Sequence, residues 1–379
     1  GRAIVAQSKN IILGPAFPLR GGIANFNNAL CKAFVAEEVD SQIYSFSLQY
    51  PSFLFPGKTQ FEEGEEPKEF TIKTIINSIN PLNWWRVAKE IRKEKPDYII
   101  IRYWLPFMGP CLGTIARLVK WGTNIQIFAI TDNVIPHEKR IGDNLLTSYF
   151  VKSCDGFIAL SASVLDDLSK FTNCTNKQFI PHPIYDIFGE QLDKNIALQY
   201  LRLNPSEKHL LFFGFIRKYK GLDILLKALS DERLKDIKLI IAGEFYDDPQ
   251  EYHDLIADLG IQDQVILKSD FIPSEEVKYY FCSADMVVQT YRTATQSGVT
   301  QIGYHFERPM LVTDVGGLSE IIPHEKVGYV TPVDPSFVAD AIADFYTNNR
   351  EEEFAANTKE EKKRFTWKSL VQAIDKMVK

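Results

Sequence analysis

The chain has 379 residues, of which 45% are hydrophobic and 24% are charged, and its formal net charge is −6. This composition is that of a globular protein, and the length exceeds what one ordinary hydrophobic core fills, so we expect two domains. The negative net charge argues against a protein that recruits nucleic acid through its overall electrostatic field.

Short apolar runs alternate with helical patterns along the chain. Near-continuous apolar strands separated by helices are typical of parallel sheets covered on both faces, so the sequence predicts two doubly wound α/β domains in tandem. Six strands are predicted in the first half: Asn10–Leu13, Gln42–Ser45, Tyr98–Ile101, Ile125–Ile130, Gly156–Leu160 and residues 178–180. Six more are predicted in the second half: His209–Gly214, Lys238–Ala242, Val265–Lys268, Met286–Gln289, Met310–Thr313 and Gly328–Thr331.

The break between the two sets of strands falls at Pro181 and Pro183. Two prolines this close together cannot continue a helix and favour an extended linker. We therefore predict a first domain over residues 1–184 and a second over residues 185–357. Residues 358–379 read as a charged helix followed by an amphipathic run that begins near Trp367.

The five cysteines are scattered and form no Cys-x-x-Cys pair, which indicates reduced thiols in a cytoplasmic protein. No run of 18 apolar residues is present, so we expect no membrane-spanning helix. The first residues lack the basic start and apolar core of a signal peptide.

The segment from Ala294 to Pro309 lies between two predicted strands and combines small polar residues with a glycine at a helix start. The first turn of a helix has unpaired N–H groups and the positive end of the helix dipole, and both attract anions. Gly298 allows a ligand to approach the backbone closely. This segment predicts a phosphate-binding site.

Ligands of open parallel sheets bind beyond the carboxyl ends of the strands. Gly21 and Gly22 follow the first strand, and they predict either a loop whose N–H groups contact a phosphate or sugar, or a plain strand-to-helix turn. Asp132 and His137 follow the strand Ile125–Ile130. They are candidates for proton transfer, and the alternative is a turn cap and a surface histidine.

Basic residues follow the first strand of the second half, where Arg217 and Lys220 precede Gly221. Arginine binds phosphate bidentately and lysine binds it as a point charge. Glu244 follows the next strand and is suited to accept hydrogen bonds from a ribose or base, or to cap the next element. The six histidines show no metal-ligand spacing, so we expect no bound metal.

Taken in order, these segments resemble the GT4-type retaining glycosyltransferases with the GT-B fold, in which two Rossmann-like domains face a central cleft. The resemblance covers nearly all of the chain. It implies that the first domain faces the acceptor, the second binds a nucleotide-sugar donor, and the C-terminal helix crosses back onto the first domain. The matching residues include Gly21, Gly22, Asp132, His137, Arg217, Lys220, Gly243, Glu244, Gly298, Gly316 and Gly317.

The resemblance also assigns roles in donor binding. It implies that Arg217 and Lys220 grip the diphosphate of a UDP- or GDP-type sugar, and that Ile272 contacts the base through main-chain groups. The distal phosphate would bind at the start of the helix, which comprises Ser297, Gly298, Val299 and Thr300.

The chain departs from the family pattern at two places. Members usually carry two glutamates eight positions apart before the equivalent of Pro309, but Ala294 and Ile302 stand there. Gln296 is the nearest replacement for the first, and either Glu244 or Gln301 is the candidate to replace the second in holding ribose hydroxyls. Asp132 occupies a place where the family often has a histidine.

The expected activity is transfer of a hexosyl group to an acceptor hydroxyl with retained configuration and without a metal, in polysaccharide or glycoconjugate synthesis. The candidate catalytic residues are Arg217, Lys220, Asp132, His137 and Gln296. Alternatives are a nucleotide-sugar epimerase of the same fold and a non-catalytic sugar-nucleotide-binding subunit. A lipid-linked acceptor would suit contact with the inner membrane face through an amphipathic helix over Phe107–Trp121, and the alternative is a helix that packs on the first sheet.

Overall fold

The computed structural model describes residues 7–19, 22–50, 65–136, 139–294 and 298–379. It divides into two compact units. Unit 1 comprises Gly1–Pro181 together with Trp367–Lys379, and unit 2 comprises His182–Thr366. In the described ranges, each unit is built on a parallel sheet, with helices between most successive strands.

Among the described residues, the sheet of unit 1 has seven strands in the order β3-β2-β1-β4-β5-β6-β7. The strands are β1 (Lys9–Leu13), β2 (Asp40–Leu48), β3 (Ile72–Asn77), β4 (Tyr98–Tyr103), β5 (Gln126–Thr131), β6 (Gly156–Ala159) and β7 (Lys177–Phe179). All six residues of β4 are buried, because helices cover both faces of this central strand. The order reverses direction between β1 and β4.

The sequence predicts no strand at β3, and the structure places one there. This strand lies at the edge of the sheet, and Ile76 is its only fully buried side chain. Polar residues such as Lys73 and Asn77 interrupt its apolar pattern. An edge strand packs on fewer neighbours than a central one, so its sequence lacks the continuous apolar run that marks the other strands.

The helices of the first part of unit 1 are α1 (Gly22–Ala36), α2 (Pro81–Glu94), α3 (Gly109–Lys120), α4 (Asp143–Val151) and α5 (Ala162–Leu168). Local sequence defines α2 at both ends. The side chain of Asn80 accepts hydrogen bonds from the N–H groups of Leu82 and Asn83, and Lys95 ends the helix in the left-handed conformation.

Helix α3 covers most of the segment Phe107–Trp121, for which the sequence predicts either membrane contact or packing on the first sheet. Its apolar side chains, including Leu112, Ile115 and Val119, are fully buried in the core of unit 1. Trp121, just after the helix, is 77% exposed. The apolar side of α3 therefore packs inside the protein. No helix in the described parts of the chain has the length and apolar character needed to cross a membrane.

In the part of unit 2 that the structure describes, the sheet has six parallel strands in the order β10-β9-β8-β11-β12-β13. The strands are β8 (Lys208–Phe213), β9 (Ile237–Ala242), β10 (Val265–Lys268), β11 (Met286–Gln289), β12 (Met310–Thr313) and β13 (Gly328–Thr331). The helices are α6 (Lys194–Tyr200), α7 (Leu222–Leu229), α8 (Pro249–Leu259), α9 (Val277–Ser283), α10 (Gly298–His305), α11 (Leu318–Ile321), α12 (Pro335–Thr347) and α13 (Glu351–Glu361).

The last helix, α14 (Trp367–Met377), belongs to unit 1 although it follows unit 2 in the chain. Leu370, Ile374 and Met377 are buried in an apolar cluster of unit 1. The ring of Trp367 meets Phe26 of α1 edge-on, with the ring centroids 5.0 Å apart. This helix therefore completes the core on one face of the first sheet.

Candidate functional site

The strand order of unit 2 reverses direction between β8 and β11. The loops that follow two such strands leave the sheet in opposite directions, and the crevice between them is the usual ligand site of this architecture. The loop after β8 carries Arg217 and Lys220, and the loop after β11 leads into α10. Four of the predicted donor-binding residues, including Gly298 and Val299, are thus brought to one place.

Lys220 and the first turn of α10 line the same cavity. A Cβ atom placed on Gly214 would be 3.3 Å from Lys220 Nζ and 3.7 Å from Val299 Cγ2, so the ammonium group and the helix start both border the space above this glycine. Partial burial, and secondarily the charge of Arg217, lower the pKa of Lys220 from 10.5 to about 8. An anion bound here would restore the stability of the charged form.

Arg217 stands just before a turn of 3-10 helix over Lys218–Lys220. Its guanidinium stacks on the ring of Tyr246, with Cζ 3.7 Å from the ring centroid. Among the described residues, the ion pair of this loop joins Asp223 to Arg292, and neither Arg217 nor Lys220 has a carboxylate partner. Two cations are therefore available to an anionic ligand.

The turn is held by close contact with the loop after β11. Gly221 adopts φ +65°, and a Cβ atom at this position would lie 1.9 Å from the carbonyl oxygen of Thr290. The hydroxyl of Thr290 donates to the carbonyl of Gly221 over 2.7 Å. Both the backbone conformation and the lack of space require glycine here.

A cavity of about 470 Å³ opens between these loops, and Lys220, Gly298, Val299, Gln301 and Tyr291 are among its lining residues. This volume is within the usual range for small-molecule sites. A smaller cavity of about 110 Å³ shares Phe213, Gly214 and Phe215 with the first. It is also lined by Glu244 and Ile272, so these two predicted residues lie beside the same crevice.

Gln301 is 5% exposed, and its Oε1 has no hydrogen-bond partner among the described residues. A buried acceptor without a donor costs about 1–3 kcal/mol. Gln301 lines the larger cavity, where a ligand hydroxyl or N–H group would satisfy this oxygen. Thr300 beside it is buried.

Asp132 and Gly22 belong to unit 1. Asp132 follows β5, and its Oδ1 accepts a hydrogen bond of 2.5 Å from Nη2 of Arg102. Arg102 is 3% exposed and stacks on Phe26, with Cζ 4.1 Å from the ring centroid. The carboxylate of Asp132 is thus the partner of a buried charge.

Sequence reasoning missed Arg102, although one signal was present. It is the only charged residue in the otherwise apolar and aromatic run Tyr98–Tyr103. A charge inside a buried strand needs a partner of opposite sign.

Gly22 begins α1, and a Cβ atom there would contact nothing within 4 Å. The predicted residues Gly21, His137, Gln296 and Ser297 lie outside the described residues.

Within the described ranges, no group of three or more His, Cys, Asp or Glu side chains is arranged to hold a metal ion. The described cysteines are present as free thiols. Burial raises the pKa of the Cys31 thiol to about 12, which makes this residue a poor metal ligand or nucleophile.

Comparison with known proteins finds sequence similarity in the second half of the chain. Residues 207–348 match the family model described as "Glycosyl transferases group 1". The chain is 33% identical over 141 residues to an uncharacterized glycosyltransferase, MJ1607, of Methanocaldococcus jannaschii, a match that covers 36% of this chain and 35% of that protein. It is 31% identical over 143 residues to D-inositol 3-phosphate glycosyltransferase of Pseudarthrobacter chlorophenolicus, covering 36% and 33% respectively. The matches span about a third of the length of these relatives.

Solved structures resemble the chain over nearly its whole length. Sucrose-phosphate synthase from Thermosynechococcus elongatus superposes with a TM-score of 0.70 at 16% identity, covering 97% of this chain and 98% of that one. HepE from Anabaena, in complex with UDP, gives a TM-score of 0.67 at 16% identity, with the same coverage. The predicted fold of two Rossmann-like parallel-sheet domains is confirmed. Residues 207–348 are thus similar to the glycosyl transferases group 1 family, and the chain has the GT-B fold.

Proposed function

We propose that the protein is a retaining glycosyltransferase that moves a hexosyl group from a nucleoside diphosphate sugar to an acceptor hydroxyl, in polysaccharide or glycoconjugate synthesis. One observation carries the proposal. Lys220 and the start of α10 line a cavity of about 470 Å³, Arg217 directly precedes the turn that carries Lys220, and neither cation has a carboxylate partner among the described residues. This arrangement suits a diphosphate.

The chemistry follows from where charge develops. When the bond between the sugar and the diphosphate breaks, negative charge accumulates on the departing phosphate. The ammonium of Lys220, the guanidinium of Arg217 and the N–H groups at Gly298 would stabilise that charge without rearrangement. Removing one such donor typically lowers the rate by about 10²–10³.

The described residues that line the larger cavity include no aspartate or glutamate. This favours attack by the acceptor on the same face that the phosphate leaves, with the phosphate taking the acceptor proton. A covalent sugar–protein species that accumulates and is seen by mass spectrometry would contradict this route.

The smaller cavity is the proposed place of the base, since Glu244 and the main chain of Ile272 border it. Gln301 Oε1 is then suited to accept a hydrogen bond from a ribose hydroxyl. HepE structures contain UDP and UDP-glucose, so UDP compounds are the first ligands to test on this chain.

The first experiment is a thermal-shift screen with UDP, GDP and ADP, because a ligand at 100 times its dissociation constant stabilises a protein by about 2.7 kcal/mol. Calorimetry with the best ligand then compares Arg217→Ala with Lys235→Ala, which alters an exposed lysine elsewhere in unit 2. Weaker binding is expected for Arg217→Ala alone. Unchanged affinity would rule out the diphosphate role.

A turnover assay separates a transferase from a non-catalytic binding subunit. A transferase is expected to release free sugar slowly from its donor when no acceptor is present, whereas a binding subunit releases none. An epimerase would instead convert the donor into its stereoisomer. Chromatography of the donor after incubation distinguishes the three results.

A further inference from the structure

Arg292 ties the loop after β11 to the loop that carries Lys220. Its Nη1 donates to Asp223 Oδ1 over 2.6 Å and its Nη2 to Asp223 Oδ2 over 2.5 Å. The same Nη1 donates to the carbonyl of Lys218 over 3.2 Å. The backbone N–H of Arg292 donates to the carbonyl of Tyr219 over 2.7 Å. One residue thus holds the first turn of α7 and the 3-10 turn before it.

This arrangement bears directly on the position of Lys220. Lys218, Tyr219 and Lys220 form one short turn, so fixing the first two carbonyls fixes the direction in which the Lys220 side chain leaves the backbone. The rings of Tyr219 and Tyr291 meet edge-on beside it, with centroids 6.2 Å apart.

We propose that Arg292 is a positioning residue that holds residues 217–221, the phosphate-binding turn, in the conformation that binds the donor diphosphate. This inference rests on the proposed function, which supplies the donor diphosphate as the ligand of the turn. Arg292 acts through the turn, by its bidentate pair with Asp223 and its hydrogen bond to Lys218.

The expected effect is on binding rather than on folding. An ion pair whose arginine is 43% exposed contributes little to overall stability. The apparent affinity for a ligand, however, falls in proportion to the fraction of molecules whose site is in the binding conformation. We expect Arg292→Gln to weaken nucleoside diphosphate binding by about three- to tenfold with little change in melting temperature.

A second signature is the pH dependence of binding. In the closed turn, burial and Arg217 hold the pKa of Lys220 at about 8. Affinity in the unaltered protein should therefore fall as the pH rises through this range and the ammonium loses its proton. If the turn opens, the ammonium gains water and its pKa rises, so the fall moves to higher pH. Arg292→Gln does not substitute any of the other titratable residues that line the cavity, which are His182, Tyr185, Tyr219 and Tyr291.

The experiment is calorimetric titration of whichever of UDP, GDP and ADP gives the largest thermal shift, between pH 6.5 and 9.5. Arg292→Gln is compared with Arg233→Gln. Arg233 is a matched control because it also pairs bidentately with an aspartate, Asp231, at 3.0 Å through both Nε and Nη2, and is 51% exposed. The control should keep both the affinity and the pH profile of the unaltered protein.

Two further variants test the geometry. Asp223→Asn should weaken binding, and its effect should not add to that of Arg292→Gln, because both break one contact. Arg292→Lys keeps the charge but loses the bidentate fork, so it should restore little. Full restoration by lysine, additive effects, or an Arg292→Gln profile that matches the control would each overturn the inference.

Lys220→Met separates this inference from the proposed function. If Lys220→Met leaves nucleoside diphosphate binding unchanged, the proposed phosphate site is wrong. If Lys220→Met weakens binding while Arg292→Gln matches Arg233→Gln, the phosphate site stands and only the positioning role of Arg292 is wrong.

Discussion

The substitution Lys220→Met is expected to raise the thermal stability of the ligand-free protein while it weakens nucleotide binding. The ammonium is half-buried above Gly214, next to Val299, with no carboxylate partner among the described residues. Folding therefore removes part of the hydration of the ammonium group, and no described carboxylate compensates for this loss. Methionine has a similar length and carries no charge to desolvate.

The magnitude follows from the pKa of Lys220, which is about 8 in the folded protein and 10.5 ordinarily. At about 1.36 kcal/mol per pH unit, this difference corresponds to at most about 3.4 kcal/mol. Because solvent still reaches part of the side chain, we expect a gain of about 1–2 kcal/mol at pH 7. A domain of this size gains about 2–4 °C in melting temperature per kcal/mol.

The sign of the pH dependence is fixed by the lowered pKa. Below pH 8 the lysine is charged in both the folded and unfolded states, so the full destabilisation is present. Between pH 8 and 10.5 the folded state is neutral while the unfolded state still binds a proton, and the destabilisation declines. Above 10.5 both states are neutral and it vanishes.

Thermal melts of the unaltered protein, Lys220→Met and Lys218→Met at pH 7.0 and pH 9.5 test this reasoning. Lys218 is an exposed residue of the same turn, so Lys218→Met controls for the loss of a lysine from this turn. Only Lys220→Met should be stabilised, and less so at pH 9.5. A melting temperature at or below that of the unaltered protein at both pH values would refute the reasoning.

Three further predictions concern side chains and backbone near the candidate sites. Gly221→Ala should lower the free energy of unfolding by about 3 kcal/mol or more, whereas Gly260→Ala, with almost the same φ of +67° but nothing within 4 Å, should lose only about 1 kcal/mol in denaturant titrations. Gln301→Leu should leave the ligand-free melting temperature unchanged or higher, yet weaken nucleotide affinity about tenfold by calorimetry, since it removes an unpaired acceptor. Asp132→Ala should destabilise unit 1 by about 3–5 kcal/mol in denaturant titrations, because it strands the buried charge of Arg102, and the double change with Arg102→Met should recover much of this loss. Equal losses at the two glycines, unchanged affinity for Gln301→Leu, or a stable Asp132→Ala would contradict these three expectations in turn.

The sequence predicts the features that depend on local patterns of apolar and polar residues. Apolar runs such as Met286–Gln289 mark central strands, and strand ends then locate Arg217, Lys220 and Gly298 without knowledge of any contact. The edge strand β3 was not predicted, because it is only partly buried and polar residues interrupt its apolar sequence.

Contacts between distant residues were beyond such reasoning. Asp223 and Arg292 are 69 positions apart, and nothing in either local segment indicates that their side chains meet. The burial of Gln301 depends on which side of α10 faces the sheet, which a helix of eight residues with few apolar positions does not define. The sequence makes Asp132 a candidate for proton transfer, but only the tertiary structure shows that its carboxylate pairs with the buried guanidinium of Arg102.

The place of α14 in unit 1 has a consequence for synthesis on the ribosome. Unit 2 is continuous in the chain, from His182 to Thr366, so all of its residues emerge before α14 does. Unit 1 begins to emerge first but lacks Leu370, Ile374 and Met377 until unit 2 has passed. One apolar face of the first sheet therefore stays incompletely covered until α14 is synthesised. Unit 1, whose synthesis begins first, is the unit whose folding is completed last.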